Sequence, residues 1–253
     1  MGNYEPWEPY NRLLSSLTDC FVAISERHRQ YLIREAHLPA SKVVVIENGV
    51  DIERFSPGVR TSGSEPAGPV RVGLVAALRP EKNVAMLLRV AKRLRETGVP
   101  AQFVIVGDGP ERTRLHRLAK EAALEECVQF LGFRADVAEL YRTLDIVVLT
   151  SRFEVLPCSL MEAMASGLPV VATNVGAVAD LVEDGKTGFL TPPNDVDAFS
   201  SRLAQLIQDE SLRQRMGRQA RKRIESRFTV ERMTKRFERL FEDLLDRRTA
   251  STG

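Results

Sequence analysis

Short apolar runs rich in β-branched residues alternate with segments of helical periodicity through most of this 253-residue chain. Strands are predicted at residues 43–46, 71–76, 102–106, 128–131, 146–149, 170–172 and 188–191. Helices are predicted between them at 83–97, 111–123, 136–142, 159–165 and 177–183. Strands that alternate with helices form βαβ units with right-handed crossovers, so the chain is predicted to build a parallel sheet with helices on both faces.

The predicted fold class is therefore α/β, and most of the chain is expected to form a Rossmann-like domain. After this domain the pattern becomes helical, with helices predicted at 196–208, 211–226 and 230–245. Before it, residues 56–69 are rich in proline, glycine and serine, a composition typical of a connection between units.

The first part of the chain is expected to be the end of a larger unit, followed by a linker. Its predicted elements are helices at 11–18 and 26–35 and strands at 20–24 and 43–46. A stable open sheet usually has more than two strands, so these elements belong to something larger. The expected domains are residues 1–55, residues 56–230, and a C-terminal helix and tail at 231–253.

Charge and cysteine usage exclude several classes of protein. The net charge of +2 is too small to indicate nucleic-acid binding, and the chain shows no signal peptide or membrane-spanning run. The three cysteines lack metal-ligand or disulfide spacing, which indicates reduced thiols and a cytoplasmic protein. Residues 210–248 carry 13 Lys or Arg against seven Asp or Glu, a surplus of six. That surplus indicates a solvated helix face or, alternatively, peripheral contact with anionic lipid.

Polar and flexible residues follow the predicted strands, where parallel sheets bind their ligands. Arg79 and Lys82 follow the strand at 71–76, and two cations there suit a diphosphate. Gly107 and Gly109 follow the next strand in a tight turn without GxGxxG spacing. The loop after residues 128–131 contains Phe133, with Arg134 beside it, and its backbone suits hydrogen bonds to a flat base.

The fourth strand is followed by two glutamates that are separated by seven residues, Glu154 and Glu162. Pro157 precedes a predicted short helix, whose first amides, on Cys158 and Ser159, suit an anion such as phosphate. A carboxylate has about four lone-pair directions and matches a vicinal diol well, so Glu162 suits a ribose and Glu154 a sugar hydroxyl. Taken singly, each residue is also explained as an ordinary loop or surface residue.

The chain resembles the C-terminal half of a family 4 retaining glycosyltransferase of GT-B architecture, over roughly residues 19–230. The resemblance lies in motifs that occur in order: Ile46-Glu-Asn-Gly-Val-Asp51, Ala77-Leu-Arg79 to Lys82, Val106-Gly-Asp-Gly-Pro110, Phe130-Leu-Gly132, the segment from Glu154 to Gly167, and Pro169-Val-Val-Ala-Thr173. Val155 and Ala177 depart from the family pattern, which commonly has glycine at these two places.

The resemblance implies a role for each candidate residue in binding a nucleotide-sugar. Arg79 and Lys82 would hold the diphosphate and stabilise the leaving nucleotide, Glu154 would contact the donor sugar, and Glu162 would bind the ribose diol. The other donor-binding residues that it implies are Gly107, Gly109, Phe133, Arg134, Leu156, Pro157, Cys158 and Ser159. It implies no bound metal and no cofactor, since the nucleotide-sugar donor is a substrate. It also implies that residues 1–55 are a remnant of a second Rossmann-like domain, on the acceptor side, with a linker.

Two hypotheses follow for function. In the first, the chain is the donor-binding half of a glycosyltransferase that transfers sugar with retention, and an N-terminal half, encoded separately or lost, supplies the acceptor side. In the second, the chain is a non-catalytic nucleotide-sugar-binding module or a degenerate fragment. Another enzyme on the same architecture, such as an epimerase or a phosphorylase, fits the ordered motifs less well.

Overall fold

The computed structural model describes residues 15–58 and 68–251. The predicted helix at 11–18 is described only from residue 15, and most of the predicted connection at 56–69 lies outside the described residues. The chain divides into two compact units. The smaller contains the segment ending at Gly49 together with the segment starting at Phe228, and the larger is Val50–Arg227.

The elements of the described residues follow the predicted alternation. The strands are β1 (Phe21–Ala23), β2 (Val43–Val45), β3 (Val70–Val75), β4 (Ala101–Val106), β5 (Val128–Gly132), β6 (Ile146–Leu149), β7 (Val170–Thr173) and β8 (Gly188–Thr191). The helices are α1 (Glu26–Arg34), α2 (Val84–Glu96), α3 (Arg112–Glu121), α4 (Val137–Tyr141), α5 (Cys158–Ala165), α6 (Val178–Leu181), α7 (Val196–Gln208), α8 (Glu210–Arg227) and α9 (Val230–Ser251).

Several boundaries differ from the prediction. The segment predicted as a helix at 177–183 is helical only over Val178–Leu181, and α9 extends six residues beyond the predicted end at residue 245. Helix α5 begins one residue early, at Cys158. Before α2, Pro80–Lys82 form a separate 3-10 turn, because Asn83 adopts a left-handed conformation with φ of 49° and interrupts the helix.

The larger unit has one parallel sheet in its described residues, with strand order β5-β4-β3-β6-β7-β8. The chain therefore builds the sheet outward from β3 in one direction, and then returns to β6 and builds it in the other. Strands β6 and β7, which lie in the interior of the sheet, are buried at every position, as expected when helices cover both faces. The predicted α/β class with a parallel sheet is confirmed.

This strand order has a functional consequence. Strands β3 and β6 are neighbours, but their following connections lead to opposite sides of the sheet. A crevice forms between the carboxyl ends of two such strands, and open α/β sheets bind their ligands there. The loops that follow β3 and β6 are consequently the ones from which a site is expected.

Arginines of the basic segment cap the ends of three other helices. Arg213 Nη1 donates to the carbonyls of Leu206 and Ile207 in α7, at 2.7 and 2.8 Å. Arg221 reaches Ala165 O of α5 at 2.6 Å, and Arg223 Nε reaches Leu181 O of α6 at 2.6 Å. The last carbonyls of a helix lack intrahelical hydrogen-bond donors and carry partial negative charge. An arginine there donates hydrogen bonds to these carbonyls and its positive charge stabilises the helix end.

The capping contacts change the meaning of the positive surplus in residues 210–248. Three of its arginines cap helices within the fold, so their hydrogen-bond donors are already engaged inside the protein. Arg215, Arg218 and Lys222 on the same helix are exposed.

Among the described residues, no helix is both long enough and apolar enough to cross a bilayer.

The smaller unit joins the two ends of the described chain. Strands β1 and β2 pair in parallel, and α1 packs against them. Gly49 lies so close to the start of α9 that an added Cβ would be 2.5 Å from the carbonyl oxygen of Thr229. Its amide donates to the sulfur of Met233 at 3.2 Å. The paired strands are those predicted for the front of the chain.

Candidate functional site

Two hydrogen bonds, one from a backbone amide and one from a side-chain hydroxyl, tie together the loops that follow β3 and β6. The amide of Arg152 donates to Glu81 O at 2.8 Å, and Thr150 Oγ1 donates to Lys82 O at 3.0 Å. Both contacts join the 3-10 turn before α2 to the start of the loop after β6. The two loops at the reversal of strand order therefore form one connected structure, in which side chains have fixed relative positions.

The same loops bring together two of the predicted site residues. Lys82 Nζ donates to Glu154 Oε1 at 2.7 Å, and the hydroxyl of Ser151 donates to that same oxygen at 2.7 Å. Glu154 is only 7% exposed, whereas Lys82 is half-buried. A buried carboxylate needs such donors because its desolvation is costly. The second oxygen, Oε2, is the part of Glu154 that these two donors do not occupy.

Arg79 lies just before the 3-10 turn and is exposed. It makes no ion pair with another residue in the part of the chain that the structure describes. Lys82, in contrast, is already paired with Glu154. An arginine without an intramolecular partner keeps its planar fork available for an anion, where two parallel hydrogen bonds are possible.

A glycine on the next loop fixes the backbone at Glu154. Gly176 follows β7 and has φ of 53°, and an added Cβ would lie 1.6 Å from the carbonyl oxygen of Glu154. The amide of Ala177 donates to Val155 O at 3.1 Å. The loop after β7 therefore presses directly against the loop that carries Glu154, and only a residue without a side chain fits between them.

Helix α5 presents its N-terminal end beside this loop. Pro157 precedes it in an extended conformation, and among the described residues no side chain caps its first amides. Leu156 and Pro157 are buried, Ser159 is half-buried and Cys158 is exposed. An uncapped helix start carries partial positive charge, so the predicted anion-binding geometry is present in these residues.

Glu162 lies on α5 and contacts a tyrosine from α4. The hydroxyl of Tyr141 is 3.2 Å from Glu162 Oε2 and 3.0 Å from the carbonyl oxygen of Ser159. Tyr141 is fully buried, whereas Glu162 is half-buried. One carboxylate oxygen of Glu162 is thus held within the protein, while its side chain keeps access to solvent.

The surroundings of Glu162 alter its ionisation. Burial raises the pKa of its carboxyl above the ordinary value, although the hydrogen bond from Tyr141 and the positive charge of Arg54 act in the opposite direction. Burial also raises the pKa of Tyr141 well above the ordinary range, and the nearby Glu162 charge adds to this. The tyrosine is consequently a neutral hydrogen-bond donor at physiological pH.

The glycines after β4 meet a structural requirement of their own. An added Cβ would lie 1.9 Å from Ala76 O at Gly107, and 2.6 Å from Leu78 O at Gly109. The Gly107 amide donates to Gly132 O at 2.8 Å, and the Gly109 amide to the side chain of Asp108 at 2.7 Å. Close packing of the loops explains why both positions are glycine, and both amides already have acceptors.

Phe133 and Arg134 lie on the loop after β5. Phe133 is 77% exposed, so most of its ring is accessible to a ligand. Arg134 is exposed and pairs with Asp136 two residues further on, so its charge is already partly neutralised. Of the two, Phe133 has the more available surface for a flat group.

Sequence reasoning missed three residues that the structure adds to the site. Ser151 holds Glu154, Tyr141 holds Glu162, and Arg54 adds positive charge near Glu162. Ser151 is the second residue after the buried strand β6, in the kind of strand-end loop where ligand-binding residues are expected. Tyr141 and Arg54 lie outside the strand-end loops, so the pattern gave no signal for them.

Among the described residues, no group of three or more His, Cys, Asp or Glu side chains is arranged to hold a metal ion. Cys20, Cys127 and Cys158 form no disulfide with one another in the same part of the chain, and burial raises the pKa of the Cys20 and Cys127 thiols.

Curated relatives of the chain include a synthase and glycosyltransferases. The N-acetyl-alpha-D-glucosaminyl L-malate synthase of Bacillus anthracis is 36% identical over 149 residues, which are 59% of this chain and 39% of that protein. The UDP-Gal:alpha-D-GlcNAc-diphosphoundecaprenol alpha-1,3-galactosyltransferase of Escherichia coli is 28% identical over 237 residues, which are 90% of this chain and 61% of that protein. The chain thus spans about half the length of these relatives.

Solved structures share the fold. Anabaena Alr3699/HepE in complex with UDP superposes with a TM-score of 0.82 at 26% identity, covering 94% of this chain and 68% of that protein. The sucrose-phosphate synthase of Thermosynechococcus elongatus superposes with a TM-score of 0.84 at 24% identity, covering 97% of this chain and 64% of that protein. Both neighbours confirm the predicted GT-B type of fold for the larger unit.

Two family models match the chain itself. The model described as Glycosyltransferase Family 4 matches residues 2–54, at the front of the chain. The model described as Glycosyl transferases group 1 matches residues 59–223, which include each of the site residues predicted from the sequence. On this match the chain belongs to the group 1 glycosyl transferases.

Proposed function

We propose that the chain binds a nucleotide-sugar at the point where the strand order reverses, as the donor-binding part of a glycosyltransferase that acts with retention. The observation that carries this proposal is the contact between Lys82 and Glu154, at 2.7 Å, across the two loops that meet there. It places a cation and a carboxylate side by side, which are the groups that a diphosphate and a sugar hydroxyl each require.

The diphosphate is assigned to Arg79, Lys82 and the uncapped start of α5. Arg79 is exposed and makes no ion pair among the described residues, so it is available to the ligand at once. Lys82 sits against Glu154 and acts as a point charge. When the bond to the sugar breaks, negative charge grows on the diphosphate, and fixed cations and helix amides stabilise it without rearrangement.

The two glutamates are assigned to hydroxyl groups. Lys82 and Ser151 both contact Oε1 of Glu154, which leaves Oε2 for a hydroxyl of the donor sugar. Glu162 is assigned to the ribose diol, because one of its oxygens is held by Tyr141 and the side chain is half-buried. Both residues bind and orient the donor in this proposal, and neither acts as an acid or a base.

The proposed nucleotide is a uridine diphosphate. Anabaena Alr3699/HepE, at 26% identity, has been solved in complex with UDP and with UDP-glucose. The Escherichia coli galactosyltransferase at 28% identity has UDP-Gal in its name. Phe133, exposed on the loop after β5, offers a flat surface for the base.

Sugar transfer is proposed to need an acceptor-side domain in addition to the described units. The chain aligns with 39–61% of the two curated relatives described above, so a large part of each has no counterpart in this alignment. A catalytic cleft that excludes water requires two walls, and the residues assigned above form one of them.

Calorimetric titration with UDP and UDP-glucose tests the proposal. We expect binding with a dissociation constant in the micromolar to millimolar range, and a larger loss of UDP affinity from Glu162→Ala than from Glu154→Ala. Equal losses would mean that the ribose and sugar roles are wrongly divided. A protein that binds none of the common nucleotide-sugars at millimolar concentration would contradict the proposal.

A transfer assay separates the two hypotheses for function. With an acceptor-side domain from a relative added in trans or fused, release of UDP from the donor at an acceptor-dependent rate supports the glycosyltransferase. Donor binding without acceptor-dependent turnover under those conditions supports a non-catalytic binding module. Retention is tested by the anomeric configuration of the product in proton NMR.

A further inference from the structure

Tyr141 reaches from the end of α4 to two groups on α5. Its hydroxyl lies 3.0 Å from the carbonyl oxygen of Ser159 and 3.2 Å from Glu162 Oε2. The side chain has no exposed surface. A buried hydroxyl with one proton and two acceptors has a well-defined position, since any rotation away from them would leave it without a partner.

The ring of Tyr141 is itself fixed. Phe55 packs against it edge to face, with ring centroids 6.0 Å apart and an interplanar angle of 66°. Phe55 is buried, so the aromatic pair is part of the core of the larger unit. The hydroxyl therefore has a fixed position in the core, and its hydrogen bond restricts the movement of the Glu162 carboxylate.

We propose that Tyr141 is a positioning residue for donor binding, which fixes Glu162 so that one carboxylate oxygen faces the ribose diol. The inference rests on the proposed function of Glu162. Oε2 is occupied by the tyrosine, and this leaves Oε1 with its lone pairs for the ligand. A free glutamate side chain would have to lose rotamer freedom when the nucleotide binds, and here that ordering precedes binding.

The choice of a tyrosine suits this task. A cation in its place would neutralise Glu162 and compete with the diol for its lone pairs. The neutral hydroxyl donates one hydrogen bond and leaves the carboxylate charged. Two other groups act on this pair through their charge: Arg54 lowers the pKa of Glu162, and Cys158 raises the pKa of Tyr141.

Calorimetry on Tyr141→Phe tests the proposal with two probes, UDP and 2′,3′-dideoxy-UDP. The substitution removes only the hydroxyl and keeps the ring in the core. We expect UDP to bind about threefold to tenfold more weakly, the range for losing one preordered side chain. The dideoxy nucleotide lacks the diol, so its affinity should not change.

A double variant shows whether Tyr141 acts through Glu162. In a Glu162→Ala background, adding Tyr141→Phe should cause no further loss of UDP affinity, because the group being positioned is absent. Thermal unfolding of each variant tests whether the protein remains folded. A merely structural role for the tyrosine would weaken both nucleotides equally and would add to the effect of Glu162→Ala.

The outcomes distinguish this inference from the proposed function. If the unsubstituted protein binds UDP better than the dideoxy nucleotide and Tyr141→Phe preserves that preference, Tyr141 does not position Glu162 and the inference is overturned. If the unsubstituted protein binds neither nucleotide, the proposed function itself is overturned, together with the inference. Loss of the diol preference in Tyr141→Phe alone supports the inference.

Discussion

Lys82 Nζ lies 2.7 Å from Glu154 Oε1, although 71 residues separate the two in the sequence and they come from loops on either side of the strand-order reversal. Glu154 is 7% exposed, so the pair partly satisfies a carboxylate that has lost its water. The residues assigned to the diphosphate and to the sugar thus support each other before the donor binds.

Lys82→Met should destabilise the protein as well as weaken donor binding. The substitution leaves the buried Glu154 carboxylate with Ser151 as its remaining side-chain donor. Removing one partner of a buried polar group costs about 1–3 kcal/mol, so the free energy of unfolding should fall by about that amount in urea denaturation. Adding Glu154→Gln to Lys82→Met should restore part of the loss, because the buried charge is then removed. A double variant that is no more stable than Lys82→Met would contradict this account.

Arg79→Ala should affect binding alone. Arg79 is exposed and makes no ion pair with the described residues, so its removal should change the free energy of unfolding by less than about 0.5 kcal/mol. A charge-assisted hydrogen bond is worth about 1.5–3 kcal/mol, so UDP affinity in calorimetry should fall about tenfold or more. Arg89→Ala is the matched control, because Arg89 is an exposed arginine on α2 that makes no ion pair with the described residues. Equal effects of the two substitutions on UDP affinity would show that Arg79 has no specific role.

Gly176→Ala should disturb the loop that carries Glu154. An added Cβ would lie 1.6 Å from Glu154 O, and φ of 53° is already unfavourable for alanine. Gly185→Ala is an informative control, because Gly185 has φ of 74° with nothing within 4 Å of the added Cβ. Left-handed backbone costs about 1–2 kcal/mol for a residue with a side chain, so Gly185→Ala should lose about that amount. Gly176→Ala should lose clearly more, and also lose UDP binding. Equal losses in urea denaturation would mean that the close approach to Glu154 O is relieved cheaply.

Much of the fold was predictable, because local pattern and tertiary structure agree in most elements. Strand β6 and helix α7 have the predicted bounds, since an unbroken apolar run marks the first and Asp195 caps the start of the second through Ala198 N at 2.9 Å. Helix α9 continues to Ser251 although the apolar period ends near residue 245. The sequence beyond that point is polar and carries no signal for where a helix stops.

The contacts within the candidate site were less predictable. Strand ends can be identified from sequence, and so can the polar residues that follow them, but the partner of each side chain cannot. The Lys82–Glu154 and Tyr141–Glu162 contacts join residues 72 and 21 positions apart. Each depends on strand order and helix packing, which the periodicity of a single chain does not determine.

Glu162→Gln should make the protein more stable at neutral pH while it weakens UDP binding. Burial raises the pKa of the Glu162 carboxyl in the folded protein. A raised folded-state pKa means that the folded protein binds this proton more tightly than the unfolded chain does. The resulting stabilisation is complete below the unfolded pKa and is lost as pH rises through the folded pKa, so ionised Glu162 destabilises the fold at neutral pH.

Glutamine avoids that ionisation and can still accept a hydrogen bond from Tyr141. In thermal unfolding, Glu162→Gln should therefore have the higher midpoint at about pH 7, and the difference should shrink at about pH 4, where Glu162 is protonated. A lower midpoint for Glu162→Gln at neutral pH would show that the ionised carboxylate stabilises the fold.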